Sequence, residues 1–192
     1  MLSYERIDFI SVSGHKIFGP KGVGALIARK RDYRRPPLNP LMFGGGQESG
    51  LRPGTLPVSL IAGLGKAAEL SNSEAEKRQA VVQRQLESFE REMKKLDVSI
   101  NAAKSSLSPY IRSVSIPGID SEAAMVALKD LIAVSNGSAC TSVKYKSSHV
   151  LESMKLSDAL IDSTIRVSFS HLSADFDWSL VSQKLLSLKQ TL

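Results

Sequence analysis

Lys16 is the first residue whose setting indicates chemistry. It follows Ser13, Gly14 and His15 in a glycine-rich segment between two short apolar runs. A lysine on such a turn can point into a cleft, where burial or a neighbouring cation lowers its pKa and makes the amine nucleophilic enough to form a Schiff base. The serine and histidine beside it can donate hydrogen bonds to a phosphate, and the glycine permits close backbone approach. Considered without other motifs, such a segment is also typical of a solvated surface turn.

Cys140 is the second candidate, and it is the only cysteine in the 192 residues. No intrachain disulfide is therefore possible, and we expect a reducing, cytoplasmic setting. The cysteine lies among small polar residues, at positions 136–142. Free cysteines are commonly buried and inert, whereas a cysteine in a small polar segment is expected to be exposed and mobile, as reactivity requires. The alternative is a loop cysteine without a role.

Arg166 is the third candidate, because it interrupts an apolar, strand-like stretch at residues 163–168. An arginine in such a position is either paired with a carboxylate of the protein or available to an anion. Its planar fork suits the carboxylate of a ligand. The glycines at positions 19, 22 and 24 follow neither the dinucleotide-binding spacing nor the P-loop spacing, so neither kind of site is predicted.

The composition is that of a globular protein with a buried core. Apolar residues make up 42% of the chain and charged residues 23%, and a chain of about 150 residues already buries roughly 70% of its unfolded surface. No stretch approaches the roughly 20 apolar residues of a membrane span. Glu5, Arg6 and Asp8 interrupt any hydrophobic signal-peptide segment near the N-terminus. We therefore expect no association with a membrane.

The net charge of +6 is concentrated in one short segment. Residues 29–35 contain five arginines or lysines, interrupted by Asp32 and Tyr33. Such a run is compatible with a patch that binds nucleic acid, with a site for an anionic cofactor or partner, or with a solvated loop that leads into the following prolines.

The predicted elements alternate between strands and helices. Short apolar runs bounded by glycine and proline predict buried strands, and helical spacing of apolar residues predicts helices. The predicted strands cover residues 9–12, 23–28, 98–100, 111–116, 132–135 and 165–169. The predicted helices cover residues 55–70, 73–96 and 120–130, and the last begins at Ser173. This order predicts an α/β fold in two parts, residues 1–75 and 76–192.

One predicted helix has a well-defined apolar face. Val82, Leu86, Phe89, Met93 and Leu96 are separated by 4, 3, 4 and 3 residues, which places all five on one side of a helix. The same spacing occurs in coiled coils, but here it lasts barely two heptads. We therefore predict a single amphipathic helix that lies on a core.

Four segments in this order resemble successive signatures of the type I cysteine desulfurases. They are SGHKIFGPKGVGAL, GGGQESGLRPGTLPV, ALKDLIAVSNGSACTS and STIRVSFS. These enzymes belong to the fold-type I, aminotransferase class V group of pyridoxal-phosphate enzymes, and the likeness spans about residues 7–190. The resemblance implies that residues 1–75 are the end of the large cofactor-binding domain and that residues 76–192 are the small C-terminal α/β domain.

The resemblance implies a role for each candidate in cofactor binding. Lys16 would carry pyridoxal 5'-phosphate and would act as general acid and base on the α-proton of the substrate. Ser13 and His15 would bind the phosphate of the cofactor. Thr55 would reach the phosphate held by the partner subunit of a homodimer. No metal ion is implied.

The resemblance also implies how the substrate is handled. Arg166 would hold the carboxylate of L-cysteine, and the Cys140 thiolate would take its sulfur, which leaves a persulfide and alanine. Sulfur-acceptor proteins would then serve iron–sulfur cluster assembly, tRNA thiolation or DNA phosphorothioation, so nucleic acid would be involved only indirectly. The alternatives are a selenocysteine lyase and a non-catalytic binding module or sulfur acceptor.

The sequence departs from the family pattern in one respect. A full family member has roughly as many residues again before the lysine segment, and they include the aspartate that pairs with the pyridine nitrogen. None of these residues is found here. We therefore expect little activity from this chain alone, a compact C-terminal part and a poorly supported N-terminal part with exposed apolar strands.

Overall fold

The computed structural model describes residues 5–32, 38–102, 107–136, 148–173 and 175–191. Strands and helices are both present, so the predicted α/β class is confirmed. The chain divides into two units, Met1–Ala75 and Glu76–Leu192. Within the described residues, no helix is both long enough and apolar enough to cross a membrane.

The first unit contains a β-hairpin and one long helix. Strand β1 (Phe9–Ser13) pairs antiparallel with strand β2 (Gly24–Ala28). Short 3-10 helices occupy Gly14–Ile17 and Gln47–Gly50, and helix α1 spans Val58–Ser73. The two predicted strands are therefore confirmed.

Basic residues hold the open end of this hairpin. The backbone N–H of Arg29 donates to the carbonyl of Asp8 at 2.8 Å, and its Nε donates to the carbonyl of Ile7 at 2.8 Å. Arg31 Nε donates to Asp8 Oδ1 at 2.7 Å, and this hydrogen bond and charge raise the pKa of the guanidinium. Two cations of the basic segment are thus engaged within the hairpin, while positions 33–37 lie outside the described residues.

The second unit is a three-stranded antiparallel sheet with helices. Its strands are β3 (Ser99–Ile100), β4 (Ile111–Ser115) and β5 (Thr164–Ser168), in the order β3-β4-β5. The helices are α2 (Ala75–Met93), α3 (Ser121–Leu128), α4 (His149–Ser153), α5 (Asp158–Asp162) and α6 (Trp178–Thr191), and a 3-10 turn at Lys94–Leu96 follows α2.

The predicted apolar face of α2 forms the centre of the core in this unit. All five of its residues are buried, together with apolar side chains from β4, β5, α3 and α6. Phe89 packs edge-on against Trp178 with ring centroids 5.0 Å apart, and against Phe169 at 5.4 Å. Such pairs contribute about 0.5–1.5 kcal/mol beyond area burial. The prediction that this helix lies on a core is confirmed.

The two units differ sharply in how much they bury. Among the described residues of the first unit, only Gly14 and Ala67 are buried. The core of the second unit contains sixteen buried hydrophobic residues. The contrast matches the expectation of a compact C-terminal part and a poorly supported N-terminal part.

Element boundaries were predicted less well than the elements themselves. Asp120 caps α3, since its Oδ1 accepts from the N–H groups of Glu122 and Ala123 at 3.0 Å. The last helix begins at Trp178 and not at Ser173, because Asp177 Oδ1 accepts from the N–H of Ser179 at 2.9 Å and supplies the cap. Residues 132–135 form one bridge and no strand, and the short helices α4 and α5 were not predicted.

We predict that Leu86→Ala destabilises the second unit by about 2–5 kcal/mol, because it leaves a cavity under the buried face of α2. The free energy of unfolding is measured by urea denaturation followed by circular dichroism. Leu180→Ala is the matched control, since Leu180 is an exposed leucine on α6, and it should change stability by about 0.5 kcal/mol or less. Equal effects of the two variants would contradict the core described above.

Candidate functional site

The segment that carries Lys16 is a single 3-10 turn at the end of β1. It spans Gly14–Ile17 and ends at Phe18, whose φ of 64° lies in the left-handed region. The N–H of Gly14 donates to the carbonyl of Val23, and the N–H of Gly19 donates to the carbonyl of Gly14, both at 2.9 Å. The turn is thus fastened to the start of β2.

Two glycines at the turn end of the hairpin are required by close backbone approach. A Cβ at Gly14 would lie 2.9 Å from the carbonyl oxygen of Pro20, and a Cβ at Gly24 would lie 2.4 Å from that of Val12. Neither distance is tolerated without movement of the backbone. Gly14 and Gly24 therefore allow the hairpin to close around the lysine turn.

The polar side chains of the turn are unengaged by the rest of the described chain. Ser13 occupies the N-cap position but makes no side-chain cap hydrogen bond. His15 and Lys16 are exposed, and among the described residues none of the three side chains has a hydrogen-bonding or ionic partner. One hydroxyl, one imidazole and one ammonium group within four residues fit the phosphate and aldehyde groups of pyridoxal phosphate in their chemistry.

Thr55 follows a strained loop in the same unit. Glu48 and Ser49 have φ values of 49° and 58°, which cost roughly 1–2 kcal/mol for each non-glycine residue. Gln47 Oε1 accepts from the N–H of Gly54 at 3.2 Å and so closes the loop from Gln47 to Gly54. Thr55 is exposed immediately after this closure. Backbone strain of this kind is commonly found at functional sites.

Arg166 lies at the middle of β5 in the second unit. It is opposite Ser113 of β4 on one side, and on the other side it forms a bridge with Ser135. The N–H of Arg166 donates to the carbonyl of Ser135 at 2.6 Å, and the N–H of Ser135 donates back at 3.2 Å. Both backbone polar groups of Arg166 are therefore engaged by Ser135, while its strand pairs with β4 along the other edge.

The guanidinium group of Arg166 is partly unsatisfied. Its Nε is buried and has no hydrogen-bond partner among the described residues. A buried donor without an acceptor is unfavourable by about 1–3 kcal/mol. Asp162 is an exposed carboxylate nearby in sequence, and no ion pair joins it to Arg166. The chemistry of the group fits an anionic ligand.

The candidate site residues predicted from the sequence lie in different parts of the structure. Ser13, His15 and Lys16 lie on one turn of the first unit, which also contains Thr55, whereas Arg166 lies in the second unit. Cys140 lies outside the described residues. Among those described, no group of three or more histidine, cysteine, aspartate or glutamate side chains is placed to hold a metal ion.

Two residues near the candidates were not singled out from the sequence. Gln47 closes the loop before Thr55, and Ser135 joins Arg166 to the segment that leads toward Cys140. The glycines around Gln47 were visible as a turn signal, but a side chain that bonds seven residues ahead is not readable from spacing. Ser135 lay within a predicted strand, and its partner strand was not predictable.

Comparison with known proteins gives consistent matches along the chain. The curated cysteine desulfurase IscS of Rickettsia conorii is 40% identical over 191 residues, which are 96% of this chain and 46% of the relative. A solved NifS-like protein has a TM-score of 0.83 at 28% identity, over 100% of this chain and 48% of the other. A structure of SspA in complex with cysteine has a TM-score of 0.66 at 34% identity, over 88% and 45% of the two chains.

The chain therefore spans about half the length of the relatives that it matches. Its α/β architecture resembles part of a fold-type I pyridoxal-phosphate enzyme, in agreement with the NifS-like neighbours. The sequence pattern of the aminotransferase class-V family matches residues 3–177, which is nearly the whole chain. On this evidence the chain belongs to the aminotransferase class-V family.

Proposed function

We propose that this chain supplies the lysine, arginine and cysteine of a pyridoxal-phosphate-dependent cysteine desulfurase. In this reaction the sulfur of L-cysteine passes to the Cys140 thiol, and alanine is released. The observation that carries the proposal is the turn of Ser13, His15 and Lys16, whose side chains have no partner among the described residues. The likeness to curated cysteine desulfurases, and to a protein solved with cysteine, supports the same substrate.

The first unit would hold the cofactor. The Ser13 hydroxyl and the His15 imidazole would hold its phosphate, and Lys16 Nζ would hold its aldehyde group. When bound, the cofactor supplies an electron sink for the bond changes at the substrate. Lys16 Nζ would also take the α-proton of the substrate and later return a proton. These roles assign residues 1–75 to the large domain of the fold.

The second unit would hold and consume the substrate. Arg166 pairs with the α-carboxylate through its planar fork, which orients the amine and sulfur of L-cysteine. The Cys140 thiolate attacks the substrate sulfur, the carbon–sulfur bond breaks, and a proton at the carbon completes alanine. The new sulfur–sulfur bond leaves a persulfide on Cys140. These roles assign residues 76–192 to the small domain.

The proposed assembly is a cytoplasmic homodimer in which Thr55 of each subunit reaches the phosphate site of the other. The exposed position of Thr55 after the strained Gln47–Gly54 loop supports this role, because the side chain is free to contact a second chain. The persulfide would then pass to an acceptor protein. A role in iron–sulfur cluster assembly, tRNA thiolation or DNA phosphorothioation depends on the identity of that acceptor.

We predict that pyridoxal phosphate, added in excess and fixed by borohydride, modifies Lys16 about tenfold more than Lys21, an exposed lysine of the same loop. The phosphate contacts from Ser13 and His15 are the physical reason. Modified lysines are counted by peptide mass spectrometry. Pyridoxal without its phosphate is the control and should show no such preference.

Ser13→Ala should reduce the preference for Lys16, and Lys21→Ala should leave it unchanged. Equal modification of Lys16 and Lys21 by the phosphorylated aldehyde would reject the cofactor role of the turn. If Lys16 and Lys21 are modified equally and the Cys140 thiol still accepts sulfur from a donor, the alternative of a non-catalytic sulfur acceptor is favoured.

We predict that Arg166→Met lowers the free energy of unfolding by no more than about 1 kcal/mol, because the Nε that it removes has no partner among the described residues. Arg112→Met is the matched control on the neighbouring strand. Arg112 Nε donates to Glu90 Oε1 at 2.7 Å and its Nη1 donates to the carbonyl of Ser108 at 2.6 Å, so its loss should cost about 2 kcal/mol.

Urea denaturation of the two variants provides the comparison. A loss of stability for Arg166→Met as large as that for Arg112→Met would identify Arg166 as a structural residue and would weaken its proposed role with the substrate carboxylate.

We predict that the Cys140 thiol reacts with a thiol reagent in the absence of denaturant, at a rate within about tenfold of the unfolded chain, because its neighbours are small and polar. Since the chain has one cysteine, the absorbance change reports that residue alone. Protection by several orders of magnitude would contradict the role of a sulfur carrier, which must meet both the substrate and an acceptor.

A further inference from the structure

One face of the sheet in the second unit carries polar side chains on two neighbouring strands. Side chains alternate along a strand, and the buried Val114 and Ile165 lie opposite each other on the core face. The residues on either side of them therefore share the other face. They are Ser113 and Ser115 of β4, and Thr164 and Arg166 of β5. The cation of Arg166 thus stands beside three hydroxyl groups.

Ser113 and Arg166 form a close pair across the two strands. Both backbone polar groups of Arg166 bond to Ser135, on the side away from β4. The carbonyl of Ser113 accepts from the N–H of Asn101, on the side away from β5. Ser113 and Arg166 are therefore a non-hydrogen-bonded pair of the ladder. In such a pair the Cα atoms lie about 4.5 Å apart and the side chains approach closely.

The neighbouring pair of the same kind, Ser115 with Thr164, uses its hydroxyl groups within the chain. The two oxygens lie 2.7 Å apart. Thr164 Oγ1 donates its one proton to the carbonyl of Leu160 at 2.6 Å, so Ser115 is the donor of the pair. Asn101 Nδ2 in turn donates to Ser115 Oγ at 2.8 Å. These hydroxyl groups therefore have a structural role, and they show that side chains paired in this way do meet.

The Ser113 hydroxyl, in contrast, still has a proton to donate. Its oxygen accepts from Asn101 Nδ2 at 3.4 Å, and among the described residues no acceptor receives its proton. Arg166 Nε is a second donor without an acceptor in the same part of the chain. Two unused donors on adjacent side chains, one of them cationic, match an anion that has two oxygens.

We propose that Ser113 is a further substrate-binding residue, whose hydroxyl donates to the carboxylate that pairs with Arg166. The inference rests on the proposed function, which gives Arg166 this ligand and names no second donor. A guanidinium and a hydroxyl group that reach one carboxylate from two strands fix its plane as well as its position. Ser113 thereby contributes to the orientation of the amine and the sulfur of L-cysteine.

The site requires no group from outside the second unit for these contacts. Both donors belong to one antiparallel strand pair, and neither contact involves the cofactor. A simple carboxylate such as acetate should therefore bind in the absence of pyridoxal phosphate. Binding of the anion and loading of the Lys16 turn are consequently separate measurements.

The test is a titration of the full 192-residue chain with sodium acetate, followed by NMR of the ¹⁵N-labelled arginine side chains. Burial slows exchange of the Arg166 Nε proton with water, so its signal should be resolved, and its loss in Arg166→Lys identifies it. We expect acetate to shift this signal to saturation. Sodium chloride at the same ionic strength should not do so.

The variants at Ser113 separate binding from structure. Ser113→Ala should weaken the binding of acetate by about tenfold, because a hydrogen bond to a charged group is lost. Ser113→Thr keeps the hydroxyl and should bind within about twofold of the unchanged chain. The matched control is Ser168→Ala, since Ser168 is an exposed serine on the same face of β5, and it should leave the affinity unchanged.

Each contrary result has a distinct meaning. If Ser113→Ala binds acetate as tightly as the unchanged chain, or if Ser113→Thr loses binding as well, the inference is overturned and the role of Arg166 stands. If acetate causes no shift, or no more than chloride causes, both the inference and the substrate role of Arg166 are overturned. Acetate binding that depends on Ser113, in a chain whose Lys16 shows no preference for pyridoxal phosphate, would support the site and count against the proposed function alone.

Discussion

Strand β5 is fixed along both of its edges, and the arrangement of the second unit depends on this constraint. β4 pairs with one edge and Ser135 bridges the other. Because side chains alternate along a strand, the burial of Ile165 and Val167 in the core directs Arg166 to the opposite face. The burial of Ile165 and Val167 thus determines which face of β5 carries the Arg166 side chain. The bridge at Ser135 joins this strand to the segment that continues toward Cys140.

The conformation of the first unit depends on close backbone contacts at glycines and not on a buried core. Its turn closes because Gly14 and Gly24 have no Cβ, so backbone oxygens of neighbouring segments can approach them. Nothing comparable to the aromatic cluster around Phe89 is present among its described residues. The local conformation of the lysine turn is therefore well defined by its own chain, while its stability depends on what covers the hairpin.

Features of the fold that depend on local residue spacing were predictable from the sequence, and features that depend on tertiary contacts were not. The face of α2 was readable because steps of three and four residues place side chains on one side of a helix, and all five residues proved to be buried. The start of α6 was misjudged, because Ser173 and Asp177 are both suitable caps and tertiary packing of Trp178 decides between them. The single bridge at Ser135 depends on a strand about thirty residues away, which no local pattern reveals.

The candidate site was readable only through residue types and motif order. Lys16, Ser13 and His15 were found because they are adjacent in sequence. That the buried Nε of Arg166 lacks an acceptor among the described residues is a three-dimensional fact, and composition gives no signal for it.

Backbone hydrogen bonds close both ends of the hairpin, but an ion pair is added at the open end, and this difference has a consequence for its behaviour in salt. The turn end is held by backbone hydrogen bonds and glycine contacts, which ionic strength hardly affects. The open end depends partly on the exposed pair of Arg31 with Asp8, and such pairs are screened over about 10 Å at 0.1 M salt. Rising ionic strength should therefore fray the hairpin from Asp8 and Arg29 inward, while the lysine turn keeps its shape.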